Sequence, residues 1–233
     1  MSQGIKSRKQ ANDYHLHLGE RFVRAIDYAR HLHIERRKGS AIPAMAHLLG
    51  VASLVMGEAG HVPFPVTEDV VIAALLHDAV EDHGGKPRLE DIRSNFGAEV
   101  ARMVEGLSDT LVDDSFQKEP WEQRKAAYLA HLKTEPVDVQ LISAADKLYN
   151  ARTILDDYRK IGPEVWTRFN RGRDAQLWYF GALLAIFKAS GTNRIVEELE
   201  RVVGELASVA AQRTARTVPP KPPSPRIQPL RPR

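Results

Sequence analysis

The stretch Ile72-Ala-Ala-Leu-Leu-His-Asp-Ala-Val-Glu-Asp82 decides how this chain is read. Apolar helix formers lead into an adjacent His77-Asp78 pair, and one helical turn later comes an adjacent Glu81-Asp82 pair. The pattern predicts a buried helix over about 67–83. On such a helix His77 and Glu81 are i,i+4 neighbours, as are Asp78 and Asp82, so polar groups gather at the end of an apolar element. Burying them without partners costs several kcal/mol. Acids at a helix C-terminal end oppose its dipole, so simple capping is a poor account of them. A divalent cation is the economical partner, because it pairs with carboxylates and binds imidazole in its neutral form.

Two more residues interrupt apolar helices in the same way. His47 stands in Ile42-Pro-Ala-Met-Ala-His-Leu-Leu-Gly-Val-Ala-Ser-Leu-Val55, where the core pattern calls for Leu or Ala. Asp146 stands in Val139-Gln-Leu-Ile-Ser-Ala-Ala-Asp-Lys-Leu-Tyr-Asn-Ala-Arg-Thr-Ile-Leu155, with Asn150 four residues on and on the same face. A lone buried histidine is more often a hydrogen-bonded core residue than a ligand. Together, however, His47, His77, Asp78 and Asp146 make a mixed nitrogen and oxygen set. That set suits one Mn²⁺, with Fe²⁺ and Zn²⁺ as alternatives, better than Ca²⁺ or Mg²⁺.

The order His…His-Asp…Asp resembles the HD superfamily of metal-dependent phosphohydrolases. Arg37-Lys-Gly-Ser-Ala-Ile-Pro-Ala-Met-Ala-His47 with Val51-Ala52 resembles that family's basic loop and first metal helix. Ala73-Ala-Leu-Leu-His-Asp-Ala-Val-Glu-Asp82, then Phe96-Gly97 with Val100 and Val104-Glu-Gly106, and Ala145-Asp-Lys-Leu-Tyr-Asn-Ala-Arg-Thr153 are similar to RelA/SpoT-type hydrolases, the stand-alone small alarmone hydrolases above all. The resemblance spans about residues 20–190. It implies an all-α, single-domain helical bundle that removes pyrophosphate from the 3′ position of a guanosine-type nucleotide. It also implies that Glu81 and Asp82 activate water and move protons, and that Lys38, its neighbour Arg37, and Asn150, Arg152 and Thr153 face the nucleoside. Arg124-Lys125 resembles a basic pair of the family. Three positions depart from its pattern: Ala44 replaces a tyrosine, Ser143 a lysine, and Ser108-Asp109 a Thr-Lys pair. These changes weaken the basic pocket. They keep a second reading open, an HD nucleotidase acting on another phosphorylated nucleoside. A third reading, a non-catalytic nucleotide sensor, sits less well with a complete ligand set.

A chain of 233 residues accommodates one domain of about 200 residues and a tail. It has no cysteine, so neither disulfides nor a thiolate metal site. No apolar run approaches the roughly 20 residues that span a bilayer, and the first ten residues lack an apolar signal core. A cytoplasmic protein without membrane contact is expected. The net charge of +3 hides an asymmetry, because residues 213–233 carry six basic residues and no acid. The remainder is slightly acidic, which argues against nucleic-acid binding by the folded body. The expected organisation is a flexible segment 1–18, the helical domain 19–212, and a disordered, basic, Pro-rich tail 213–233. The tail is a weak candidate for a partner-binding element, and self-association is left open.

Helical periodicity places about ten helices near 19–35, 42–58, 67–83, 88–94, 97–107, 120–134, 136–159, 162–169, 172–190 and 193–212. Gly84-Gly85 reads as the end of the His77-Asp78 helix, and residues 108–119 as a polar loop near the site. His15, His17, His31 and His33 form i,i+2 pairs, which do not face each other on a helix, and receive no role.

Overall fold

The apolar run Val139–Ala145 is buried along the helix around which the others are arranged. That helix, α8 (Val137–Ile161), packs against most of its neighbours. The computed structural model describes residues 15–112 and 119–217, with side chains to residue 211. In chain order the other helices are α1 (Glu20–Leu32), α2 (Ala44–Met56), α3 (Glu68–Leu75), α4 (Ala79–Asp82), α5 (Gly85–Phe96), α6 (Ala98–Leu107) and α7 (Trp121–Leu132). After α8 come a 3-10 segment (Gly162–Arg168), α9 (Gly172–Ser190) and α10 (Arg194–Thr217). Among the described residues the only β-pairing is an isolated bridge between Arg36 and Pro43. The all-α expectation therefore holds. α10 and α2 pack along α8, and α3 lies between α2 and α6.

Local chemistry explains most of the boundaries. The Thr67 hydroxyl accepts from the Val70 amide at 3.3 Å and starts α3. Pro120 and Pro136 stand immediately before α7 and α8, where a missing N–H costs nothing. Gly50 on α2 lies under the Tyr149 ring of α8, and a Cβ there would come within 2.1 Å of it. Only glycine lets the two helices approach so closely.

Three boundaries differ from expectation. The predicted helix over 67–83 is two helices with a joint at Leu76-His77-Asp78. The Leu76 amide is shared between the carbonyls of Ile72 and Ala73, at 3.0 and 3.2 Å, and Ala79 bonds back to Leu76. This tightening turns two consecutive polar side chains toward one point, which a straight α-helix spreads about 100° apart. Second, α5 begins at Gly85 rather than 88, because Gly84 takes a φ of +115° and Pro87 falls within the first turn. Third, α10 runs to Thr217, since no helix breaker precedes Pro219-Pro220. Residues 1–14, 113–118 and 218–233, and with them most of the expected flexible ends and half of the expected polar loop, lie outside the described residues.

Candidate metal centre and active-site cavity

Three apolar elements deliver one polar side chain or pair each to a common point. α2 brings His47, the α3–α4 joint brings His77 and Asp78, and α8 brings Asp146. The Nε2 atoms of the two histidines are 3.2 Å apart. His47 Nε2 lies 3.4 Å from Asp78 Oδ2 and 3.2 Å from Asp146 Oδ1. His77 Nε2 lies 3.2 Å from Asp78 Oδ1 and 3.7 Å from Asp146 Oδ1. Donors bound to one ion at about 2.0–2.2 Å are separated by roughly 3.0–3.6 Å. One donor atom each of His47, His77 and Asp78 lies within 4.8 Å of the others, and Asp146 joins them through the two histidines.

The orientation is set from outside. His77 Nδ1 lies 2.7 Å from the Ala74 carbonyl, which selects the tautomer with Nδ1–H and leaves the Nε2 lone pair for the centre. The Tyr149 ring packs on edge against His47 at 5.0 Å. Asn150 donates to Asp146 Oδ1 at 2.5 Å and accepts from Arg37 Nη2 at 2.5 Å. Lys147 holds the other oxygen of Asp146 at 2.5 Å.

The buried Asp146 carboxylate and the partly exposed Asp78 carboxylate beside it demand positive charge. Burial opposes ionisation of His77, but the adjacent Asp78 outweighs it and pushes the imidazole up to about 9. Burial alone would raise the Asp78 and Asp146 carboxyls. The two histidines, and for Asp146 first of all Lys147, hold them well below the carboxylate range instead. The protein alone answers that demand by drawing protons onto imidazole. A divalent cation answers it without them, and the donor set fits one.

His47 and Asp78 of the cluster line a cavity of about 530 Å³. Arg37, Lys38, Asn150 and Thr153 line it, and so does Asp82. Arg152 does not. On α8 it is two residues from Asn150, roughly on the opposite side of the helix, and it pairs with Glu198 of α10 at 3.2 Å. Its expected contact with the nucleoside is therefore corrected.

Glu81 lies beside the departures from the family pattern. Asp109 is almost fully buried and captures both expected cations, Arg124 Nη1 at 2.6 Å and Lys125 Nζ at 2.6 Å. Arg124 also reaches Glu81 at 3.9 Å. Burial, and after it the Asp109 charge, pushes the Glu81 carboxyl up to about 7, although 30% of its side chain still meets solvent. Ser143, at the second departure, is bonded to the Tyr128 hydroxyl at 2.9 Å.

Several cavity residues carried no sequence signal. Lys147 is sequestered beneath the Tyr128 and Tyr179 rings, at 5.7 and 6.0 Å. Arg168, Phe169 and Gln176 come from the 3-10 segment and its surroundings. His33, denied a role as a helix-face residue, is the residue capping the C-terminus of α1, so the helix-face argument does not govern it. It meets Glu35 and His83 beside the cavity.

Residues 25–175 match the model of the HD domain family, and the chain belongs to that family. It is an enzyme of the hydrolase class, as the sequence leads one to expect. The human guanosine-3′,5′-bis(diphosphate) 3′-pyrophosphohydrolase MESH1 is 32% identical over 179 residues, covering 76% of this chain and 88% of the relative. The guanosine-3′,5′-bis(diphosphate) 3′-pyrophosphohydrolase of Aquifex aeolicus is 32% identical over 135 residues, 58% of this chain but 18% of that longer protein. Among solved structures, one described as a metazoan ortholog of SpoT that hydrolyzes ppGpp superposes with a TM-score of 0.65 at 26% identity, covering 82% of this chain and 98% of that one. The lmo0812 structure from Listeria monocytogenes matches with a TM-score of 0.57 at 31% identity, covering 70% and 99%. Among the described residues no helix is long and apolar enough to cross a membrane.

Proposed function

We propose that this chain is a metal-dependent 3′-pyrophosphohydrolase of guanosine-3′,5′-bis(diphosphate) or a close relative of it, working in the cytoplasm. The reading rests on one observation: His47 and Asp78, gathered with His77 and Asp146, line a cavity also lined by Arg37, Lys38 and Asn150. The names of its relatives support the substrate class. His47, His77, Asp78 and Asp146 would hold one divalent ion, Mn²⁺ first, with Fe²⁺ and Zn²⁺ as alternatives. When bound, that ion polarises a phosphoryl oxygen and lowers the pKa of a water.

The residues divide the remaining work. Asn150 and the Ala74 carbonyl fix the orientation of Asp146 and His77. Arg37, Lys38 and Thr153 receive the nucleoside side of the substrate. Glu81, with its carboxyl near the neutral range, takes the proton of the attacking water, with Asp82 beside it. Water adds to the phosphorus and the bond to the ribose 3′ oxygen breaks. The proton then passes to that oxygen, and pyrophosphate leaves.

A panel of phosphorylated nucleosides, assayed with Mn²⁺ and read by released product, tests this. Pyrophosphate released from a 3′-diphosphate is the expected result. Release of orthophosphate or triphosphate would favour the nucleotidase reading, which the capture of Arg124 and Lys125 by Asp109 supports. Tight binding without turnover would favour the sensor. The division into flexible start, helical domain and basic tail, a partner for that tail, and self-association stand as proposals from the sequence.

A further inference from the structure

Beside the cavity lies a second group of donors that the proposed chemistry does not use. His33 caps the C-terminus of α1, His83 caps that of α4, and Glu35 stands on the loop before the Arg36–Pro43 bridge. Glu35 Oε1 is 3.1 Å from His33 Nδ1 and 3.4 Å from His83 Nε2. One donor atom from each of the three residues lies within 4.8 Å of the others. The two rings meet edge to face, with centroids 4.5 Å apart and planes at 88°.

We propose that His33, Glu35 and His83 form a second divalent-cation site at the edge of the same cavity, with Zn²⁺ as the best-fitting occupant.

Three observations carry this. Four-coordinate zinc binds nitrogen and oxygen at about 2.0–2.2 Å, which separates its ligand atoms by roughly 3.3–3.6 Å. The 3.1 and 3.4 Å separations are within a few tenths of an ångström of that edge. The donors also show graded access: the His33 side chain is 1% exposed, His83 26% and Glu35 43%. A site closed on one side and open on the other, with two imidazoles and one carboxylate, leaves a coordination position for water or a ligand oxygen. Finally, the groups already hold the protonation states that a metal requires. Burial keeps the His33 imidazole below its ordinary range, favouring the neutral ring. Burial acts against Glu35, but its own backbone amide and the two imidazoles outweigh it and keep the carboxylate ionised.

His33 and Glu35 line the cavity together with His47 and Asp78. A cation there would add positive charge to a space whose Lys125 is paired with Asp109. The site depends on no particular substrate.

Metal content of the full chain, stripped with a chelator and dialysed against Zn²⁺, tests the proposal. Wild type should hold about two equivalents. Glu35→Gln and His83→Ala, at partly exposed positions where folding is not at risk, should each hold about one, with unchanged circular dichroism. Co²⁺ substitution should show the corresponding loss of visible absorption. Wild-type content in both Glu35→Gln and His83→Ala, whether one or two equivalents, would overturn the site. If Asp78→Ala leaves content unchanged while His83→Ala lowers it, the second site stands and the proposed catalytic centre fails.

Discussion

The two ends of the cavity are built by different rules. The inner end is assembled from α2, α8 and the joint between α3 and α4, and His47, His77 and Asp146 are almost fully buried there. Its His77 Nδ1 and Asp146 oxygens have hydrogen-bond partners, whereas the buried His47 Nδ1 has none. The outer end is assembled from the loop after α1, the rim of α4 and the 3-10 segment. Lys38 and Asp82 are exposed there, and Arg37 is half-buried. Burial makes the inner end intolerant, since an unpaired charge costs several kcal/mol and a missing ligand leaves such a charge behind. Solvent makes the outer end forgiving, since water substitutes for a lost partner.

The largest expected effect breaks the inner end. Asp78→Ala removes a donor and leaves His77 and Asp146 with the charge balance of a damaged site. Metal affinity should fall, and turnover should drop by about 10³-fold or more, the scale of several kcal/mol of lost charge stabilisation. Paired measurements of bound Mn²⁺ and of kcat check this. Full activity in a metal-poor variant would contradict the proposed centre.

Glu81, beside Arg124 and Asp109, sharpens the comparison. Glu81→Gln should keep the metal yet lose about 10²–10⁴ in kcat, because the amide is nearly isosteric but cannot accept a proton. The pH profile gives a second readout. A base must be ionised, so with Glu81 near 7 the rate should rise with pH up to neutrality and level off above it. Burial is the first cause of that raised value and Asp109 the next. Asp109→Asn removes the negative neighbour and frees Arg124 and Lys125, so the acid limb should move to lower pH. A limb that stays in place in both variants would assign the ionisation to another group.

The same contrast decides what could be read from sequence. The convergence of the four inner side chains was legible because each interrupts an apolar stretch where the core pattern calls for a hydrocarbon, and a polar group there needs a partner. The all-α fold was legible from the same periodicity. The joint at Leu76–Asp78 was not, because Ile72-Ala-Ala-Leu-Leu has unbroken helix propensity and the break is set by tertiary contacts of His77 and Asp78. Lys147 looked like any lysine after an aspartate. His33 and His83 are fifty residues apart and carry no shared pattern, so only the fold unites them with Glu35. Arg152 was misassigned for a local reason. A short word shared with a family fixes the helix but not which side of it each residue presents, and α10 claims the side on which Arg152 lies.

The smallest expected effect is the difference between two arginines that the sequence treats alike. Arg37 lines the cavity and donates to Asn150, which in turn holds Asp146. Arg152 pairs with Glu198 across α8 and α10, and 45% of its side chain is exposed. Arg37→Ala deletes a charged hydrogen bond and a cation beside the substrate, so KM should rise by about tenfold with a smaller fall in kcat. Arg152→Ala removes only an exposed ion pair, so KM should not move, and stability should stay within about 0.5 kcal/mol of wild type. Steady-state kinetics and thermal melts on the two variants make the comparison under identical conditions. Equal rises in KM would restore Arg152 to the nucleoside face and mean that α8 is turned about its axis relative to the arrangement described. Equal indifference would remove Arg37 from substrate binding and confine its role to holding Asn150, which a fall in Mn²⁺ affinity of Arg37→Ala would then report.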